Sequence, residues 1–184
     1  MDAVKEDVIA NGDADAKSPG AAAANTAGAP DGYSDGALRD AMELLFFAYR
    51  DFTAEPDNIL KEYNFGRAHH RVIYFVGRHP GMAVSELLGI LKITKQSLSR
   101  VLGQLIDDGF ILQRTDAADL RRRHLYLTTK GADLERRLSE RQSQRIMRAY
   151  QDAGADAVQG FRAVLRAIIN EEDRARVATR KAVE

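Results

Sequence analysis

The sequence predicts a mainly α-helical protein with one small β-hairpin. An amphipathic helix begins near Thr94 and ends before Gly109, two short apolar strands follow it, and three consecutive arginines precede the second strand. A helix with a polar face beside a basic hairpin has the shape and charge to fit the grooves of duplex DNA. These three observations predict a winged helix-turn-helix core, in which the helix after Thr94 is the recognition helix and the hairpin is the wing.

Three further helices are predicted before the recognition helix. The first begins near Ser34, where apolar side chains start to recur on one helical face, and Glu55-Pro56-Asp57-Asn58 is expected to break it. The second covers about 66 to 78 and the third about 84 to 91. A very short strand near Met82 would complete a small sheet with the hairpin.

The recognition helix is defined by its cap and its apolar stripe. Thr94 is a favourable N-cap residue, and Leu98, Val101, Leu102 and Leu105 recur at helical spacing. The opposite pole of the first two turns carries polar and basic side chains, which suit base edges and phosphates. The residues of this helix predicted to bind DNA are Thr94, Lys95, Gln96, Ser97, Ser99 and Arg100.

The wing and two more helices complete the predicted order α-α-α-α-β-β-α-α. Phe110 starts the first strand of the wing and His124 starts the second. Thr128 is expected to cap a long helix of about 129 to 150, and the last helix covers about 155 to 170. The wing residues predicted to act in DNA binding are Asp119, Arg121, Arg122 and Arg123, of which Asp119 would orient Arg121 by a charge-assisted hydrogen bond.

The first and last helices carry more apolar side chains than the module between them can cover. Leu38, Phe46, Phe161, Leu165 and Ile169 are examples. Burying these stripes against a second copy predicts a homodimer, which would place two recognition helices on a pseudo-palindromic site. The alternative is that both helices fold back on their own chain.

Composition divides the chain into one domain and two tails. Residues 1–33 are acidic, rich in Ala and Gly and nearly free of large apolar side chains, so this segment is expected to be disordered. The domain is expected at 34–175, with a C-terminal tail at 176–184. Within the domain the winged helix core covers about 66–130, and the dimerisation helices cover about 34–53 and 129–170.

The formal net charge of zero conceals a segregation of charge along the chain. Residues 1–36 carry seven acidic and two basic side chains, whereas residues 66–130 carry 11 basic and five acidic ones, a net charge of +6. The basic residues therefore concentrate in the segment that is predicted to meet the phosphates of DNA.

Several motifs resemble the MarR family of bacterial transcription regulators. They are the run Ile93-Thr94-Lys95-Gln96-Ser97-Leu98-Ser99-Arg100-Val101-Leu102, then Leu105, Gly109-Phe110-Ile111, Asp119-x-Arg121 and Leu127-Thr128-x-x-Gly131. The last two are the most specific, and the resemblance covers roughly residues 34–169. It implies a homodimer formed by the first and last helices, and it implies that Arg121 binds in the minor groove of DNA.

Within this family the chain also resembles one subgroup, through the run 66–71 together with 94–97. It departs from the common pattern at two positions. Leu120 stands where a basic residue is common, and Lys92 stands where glycine is common before the recognition helix. Neither departure affects the predicted fold, although Leu120 bears on how the wing tip meets DNA.

Catalysis, cofactor binding and metal binding are not predicted. No glycine-rich phosphate loop, nucleophile elbow, His-Glu-x-x-His motif or paired-carboxylate arrangement is present, so an enzyme is not expected. The absence of cysteine excludes disulfides, thiolate metal sites and a thiol redox switch. The adjacent His69 and His70 diverge by about 100° on a helix, so structural roles are favoured over a metal site for the four histidines, which also include His79 and His124.

Two further expectations concern partners and location. His70, Arg71 and Tyr74 on the second helix could line a pocket for a small aromatic or anionic effector. No apolar run approaches the ~18 residues of a membrane span and the N-terminus lacks a signal-peptide pattern, so the cytoplasm is expected and a membrane partner is not. The alternative function is a winged-helix module that docks proteins without binding DNA; Arg100 and the pair Asp119/Arg121 favour DNA.

Overall fold

The computed structural model describes residues 33–116 and 122–178. These ranges contain seven helices and three short strands, which confirms the predicted mainly helical fold with a small β-wing. The elements are α1 (Asp35–Lys61), α2 (Arg67–Arg78), β1 (Met82–Ala83), α3 (Val84–Leu91), α4 (Lys95–Asp107), β2 (Ile111–Thr115), β3 (Arg123–Leu127), α5 (Thr129–Ala153), α6 (Ala155–Ile168) and α7 (Glu171–Ala178). Residues 1–32 of the predicted tail, the wing residues Asp119 and Arg121, and residues 179–184 lie outside the described residues.

The chain divides into two compact units, residues 1–41 and 42–184. The described part of the first unit is the start of α1, where the Ser34 hydroxyl accepts a hydrogen bond from the amide of Ala37 at 3.2 Å. This contact is a helix cap, and it confirms the predicted start of the first helix.

The predicted break of the first helix at residues 55–58 is wrong. Helix α1 continues through Pro56 to Lys61. A proline inside a helix removes one hydrogen bond and costs about 3 kcal/mol, and here the carbonyl of Phe52 loses its helical donor. The side-chain amide of Gln142 on α5 donates to that carbonyl at 3.3 Å, and Pro56 and Leu60 are fully buried. Burial and the hydrogen bond from Gln142 therefore offset the local cost of the proline.

The three strands form one antiparallel sheet in the order β1-β3-β2. Met82 pairs with Leu125, which confirms the short strand predicted near Met82, and Ile111 pairs with Leu127 across the wing. Leu125 in the central strand is completely buried. The base of the wing is thus anchored to the helical core.

The core lies between α2, α3, α4, the sheet and the first half of α5. All four residues of the predicted apolar stripe of the recognition helix are buried. They pack in one cluster with the buried residues of the neighbouring elements, which include Leu60, Val72, Ile73, Val76, Leu87, Phe110, Leu125, Leu134 and Leu138. Because the inward face of α4 is fixed in this way, its opposite face must point outward.

The connection from β3 to α5 is closely packed. Thr128 is the N-cap of α5, and its hydroxyl accepts from the amide of Gly131 at 3.1 Å and donates to the carbonyl of Gly109 at 2.7 Å. The amide of Thr128 donates to the carbonyl of Phe110 at 3.1 Å. Gly131 is buried against Phe110, so this junction ties the end of the recognition helix to the start of α5.

Helix α7 was not among the predicted elements. Its first turn is acidic, which suits the positive end of the helix dipole, and Glu172 and Asp173 both form ion pairs with Lys92. Lys92 has a left-handed backbone conformation, with φ of 49°, at the C-cap of α3. This conformation explains why glycine suits the position, and the side chain of lysine adds a contact to α7 that glycine would lack.

Candidate nucleic-acid interface

The N-terminal end of α4 is built around the cap that was predicted at Thr94. The hydroxyl of Thr94 accepts from the amide of Ser97 at 3.1 Å and lies 2.8 Å from the hydroxyl of Ser97. The side chains of Thr94 and Ser97 are therefore engaged with each other. Their first role in this structure is to hold the start of the helix, so a contact with phosphate would come from the helix end as a whole.

The outward face of α4 presents four polar side chains together. Lys95, Gln96, Ser99 and Arg100 are all exposed. No side-chain hydrogen bond or ion pair joins any of the four to another described residue. Gln96 and Arg100 are one helical turn apart, so they extend from the same side of the helix over a buried apolar base. The structure thus brings together the residues that were predicted to reach base edges and phosphates.

The other end of α4 differs in charge and in its contacts. Asp107 and Asp108 are exposed there, and Gln104 lies 2.9 Å from the ring Nε2 of His69 on α2. The ammonium group of Lys130 donates to the carbonyl of Asp108 at 2.8 Å. Only the first two turns of α4 thus combine positive charge with free polar groups.

The described part of the wing carries exposed basic side chains. Arg122 and Arg123 are exposed, and the guanidinium of Arg114 lies 5.2 Å from the ring centroid of Tyr126. The amide of Asp116 donates to the carbonyl of Arg122 at 3.0 Å and closes the base of the hairpin loop. The proposed hydrogen bond between Asp119 and Arg121 stays a prediction, because both residues lie outside the described part.

His124 has a role in this hairpin that was not predicted from the sequence. Its ring Nδ1 lies 2.7 Å from the carbonyl oxygen of Gly81, and its Nε2 lies 3.0 Å from a carboxylate oxygen of Asp116. The hydrogen bond with Asp116, followed by that with the Gly81 carbonyl, raises the pKa of His124 above its ordinary value. No sequence pattern links residues 43 positions apart, so only the fold could show that Gly81 faces this ring.

A cleft of about 620 Å³ lies between α1, α2 and α5. The three predicted pocket residues, His70, Arg71 and Tyr74, all line it, and desolvation by burial lowers the pKa of His70. The walls that α1 and α5 supply were not predicted, because helical periodicity does not show which helices pack against α2. These further lining residues include Tyr49, Phe52, Glu135, Ser139, Gln142 and Ile146.

Hydrogen bonds of the protein already occupy the rings of two histidines. His69 accepts from the amide of Gly66 through Nδ1 at 3.1 Å, which caps α2, and its Nε2 meets Gln104. His124 is held between Gly81 and Asp116 as described above. No group of three or more His, Cys, Asp or Glu side chains arranged to hold a metal ion occurs within residues 33–116 and 122–178. Within the same ranges, no helix is long and apolar enough to cross a membrane.

Comparison with solved structures supports the fold. A crystal structure of a MarR family transcription regulator superposes with a TM-score of 0.62 at 17% identity, covering 78% of this chain and 94% of that chain. The crystal structure of Streptococcus pneumoniae FabT in complex with DNA superposes with a TM-score of 0.58 at 22% identity, covering 69% of this chain and 92% of that chain. At these identities the likeness establishes the architecture.

Sequence comparison establishes the relationship more closely. Residues 63–122 match the family model described as MarR family. The HTH-type transcriptional regulator PetP of Rhodobacter capsulatus is 53% identical over 148 residues, which cover 78% of this chain and 89% of that protein. The subgroup that the runs 66–71 and 94–97 resemble is the one similar to PetP. With more than half of the residues shared over most of both proteins, the chain belongs to the MarR family of transcriptional regulators.

Proposed function

We propose that this protein binds specific DNA sequences as a homodimer and thereby regulates transcription at a pseudo-palindromic operator. The observation that carries the proposal is the exposed, polar face at the N-terminal end of α4, which stands on a buried apolar base. A rigid helix with unengaged polar side chains can enter the major groove without first breaking contacts of its own.

The individual side chains fit different parts of the duplex. Arg100 can donate two parallel hydrogen bonds to guanine, and Gln96 can pair with adenine. Lys95, Ser99 and the end of the helix at Thr94 and Ser97 suit phosphate oxygens. In the wing, Asp119 would orient the side chain of Arg121, which would enter the minor groove, while Arg122 and Arg123 would contact phosphates.

The proposed dimer rests on apolar side chains that one chain leaves uncovered. In α6 no residue is buried, and Phe161, Val164 and Ile168 are 51%, 58% and 60% exposed. In α1, Met42 and Phe46 are 70% and 62% exposed. Such a large apolar surface on two helices is typical of a protein interface and suits a second copy of the chain.

Substitution of Arg100 tests the proposal. Arg100→Ala is expected to weaken binding to the operator by roughly 1–3 kcal/mol and to relax the preference at one base pair per half-site. Fluorescence anisotropy with DNA from upstream of the protein's own gene, and with a scrambled duplex of equal length, at several salt concentrations measures both effects. Arg141→Ala on α5 removes the same charge from an exposed helical position outside the proposed interface and is the matched control.

The same titrations separate the wing from the recognition helix and test the alternative function. Arg121→Ala is expected to weaken binding to all duplexes and to reduce the slope of log affinity against log salt by about one, and Asp119→Ala should give a milder form of this defect. A winged-helix module that docks only proteins would bind neither duplex at any salt concentration. Equal binding by the wild type, Arg100→Ala and Arg121→Ala would contradict the proposed interface.

We also propose that the cleft between α1, α2 and α5 binds a small aromatic anion that modulates the regulator. Aromatic side chains line it, and Arg71 lies in it with its guanidinium 3.1 Å from the hydroxyl of Tyr49. Arg67 is less available, because it already makes two hydrogen bonds to Asp57, at 2.8 and 2.9 Å. Arg71 is therefore the better candidate for an incoming carboxylate.

A probe ligand tests the cleft. Benzoate at millimolar concentration is expected to raise the melting temperature of the wild type, since a ligand that binds only the folded state stabilises it. Arg71→Ala should abolish most of that rise, and Arg141→Ala should retain it. Acetate, which lacks the aromatic ring, controls for nonspecific effects of anions. Equal shifts with benzoate and acetate in all three proteins would exclude the cleft as an aromatic-anion site.

A further inference from the structure

The ring of His124 lies between two hydrogen-bond acceptors. The carbonyl oxygen of Gly81 is 2.7 Å from Nδ1, and a carboxylate oxygen of Asp116 is 3.0 Å from Nε2. A neutral imidazole carries one N–H group and a protonated imidazole carries two. Both contacts are therefore hydrogen bonds to a carboxylate and a carbonyl only when His124 is protonated.

These two contacts connect the three strands of the sheet. Gly81 immediately precedes β1, His124 lies in β3, and Asp116 immediately follows β2. At the same end of the sheet, the amide of Gly81 donates to the carbonyl of Leu125 at 2.8 Å. The amide of Asp116 donates to the carbonyl of Arg122 where the loop toward the wing tip begins. The imidazole thus makes hydrogen bonds to the ends of both neighbouring strands.

The charged groups around the ring favour its proton on balance. Asp116 faces Nε2 directly and is the main reason that the pKa of His124 is raised, while the nearby charge of Arg122 lowers it. On β2, Arg114 is the cross-strand neighbour of His124, and its guanidinium lies over the ring of Tyr126. On the other side, β1 carries no titratable side chain, and Glu86 at the start of α3 accepts from the amide of Ala83.

We propose that protonated His124 is a positioning residue that fixes the base of the wing, and that the wing loosens when this ring loses its proton. A group whose pKa is raised by folding contributes stability that is fully present below its unfolded pKa and is lost as pH rises through its folded pKa. The wing is therefore held most firmly at acidic pH. The consequence for DNA, which rests on the function proposed above, is weaker binding as pH rises through that range.

The first test needs no DNA. Titration of the imidazole ¹⁵N signals by NMR in the full chain is expected to give His124 a higher midpoint than His70, and Asp116→Asn should lower the midpoint of His124. The exchange protection of the amides of Asp116 and Gly81, corrected for the intrinsic pH dependence of exchange, should fall over the same pH range. A neutral His124 ring at pH 6, or a midpoint that Asp116→Asn leaves unchanged, would overturn the proposal.

The second test asks whether the protonation of His124 affects the affinity for DNA. Operator affinity of the wild type should fall roughly threefold to tenfold as His124 deprotonates, the range for the loss of one hydrogen bond. His124→Gln should lack this step, whereas Arg141→Ala, which alters an exposed position of α5 outside the cleft and the wing, should retain it. A step that persists in His124→Gln would overturn the link to DNA. If His124 titrates as expected but neither the wild type nor any variant binds DNA at any pH, the proposed DNA-binding function is wrong. The proposed role of His124 in fixing the base of the wing is then unaffected.

Discussion

Replacing Gly131 with alanine is expected to lower the free energy of unfolding by about 3 kcal/mol. A Cβ atom at this position would lie 2.0 Å from the carbonyl oxygen of Phe110 and 3.0 Å from its carbonyl carbon, both of them backbone atoms that no side-chain rotation can move. The same carbonyl accepts the amide of Thr128, so any shift that relieves the clash also disturbs the cap of α5. The midpoint of thermal unfolding should fall by roughly 10 °C.

Gly103 provides the matched control for this substitution. It also lies inside a helix, but a Cβ atom there would meet nothing within 4 Å. Gly103→Ala should therefore leave stability unchanged or raise it by about 0.5–1 kcal/mol, because alanine restricts the unfolded chain more than glycine does. Urea unfolding followed by circular dichroism measures both variants. Equal stability of the two would show that the junction between β3 and α5 adapts without cost.

The double substitution Val164→Glu/Ile168→Glu is expected to convert the proposed dimer to a folded monomer. Both side chains are mostly exposed in the single chain, so two carboxylates there should not disturb its own packing, whereas in the proposed interface they would be buried without partners. Operator affinity should fall by about 100-fold or more, since two linked recognition helices act at a high effective concentration. A chain that ends at Gly154 should behave in the same way.

The opposite side of the same helix supplies the control. Gln159→Glu/Ala163→Glu adds the same two charges to exposed positions of α6, about half a turn away from the apolar stripe. Light scattering should find this variant dimeric and Val164→Glu/Ile168→Glu monomeric, with identical far-ultraviolet circular dichroism. A fully dimeric Val164→Glu/Ile168→Glu protein would exclude this face of α6 from the interface.

Features that are written locally in the sequence could be predicted. The apolar stripe of α4, its cap at Thr94 and the start of α5 at Thr128 each depend on residues within about two helical turns, and the structure confirms all three. The exposed polar face of α4 follows from the same periodicity. The distribution of charge along this helix, with basic groups at its start and acidic residues at its end, could also be predicted from the sequence.

Features that depend on contacts between distant residues could not be predicted. Pro56 is a strong local signal for a helix end, and only Gln142, which is 86 positions away, supplies the hydrogen bond that lets α1 continue. His124 gains its partner Gly81 through strand pairing. Lys92 forms an ion pair with α7, a helix whose few apolar residues gave no periodic signal in the sequence. In each case a contact between distant residues determines the local structure, and the local sequence either favours a different structure or gives no preference.

The hydrogen bond between Gln142 and Phe52 also constrains the chemistry of any molecule that enters the cleft. Both residues line the cleft, and the carbonyl of Phe52 has no helical donor because residue 56 is proline. A ligand that displaces Gln142 and excludes water must donate a hydrogen bond of its own, or leave that carbonyl unsatisfied at a cost of about 1–3 kcal/mol. If the cleft binds the proposed effector, the proline in α1 is therefore expected to favour ligands with a hydroxyl or amide donor on the ring over ligands that carry acceptors alone, such as benzoate.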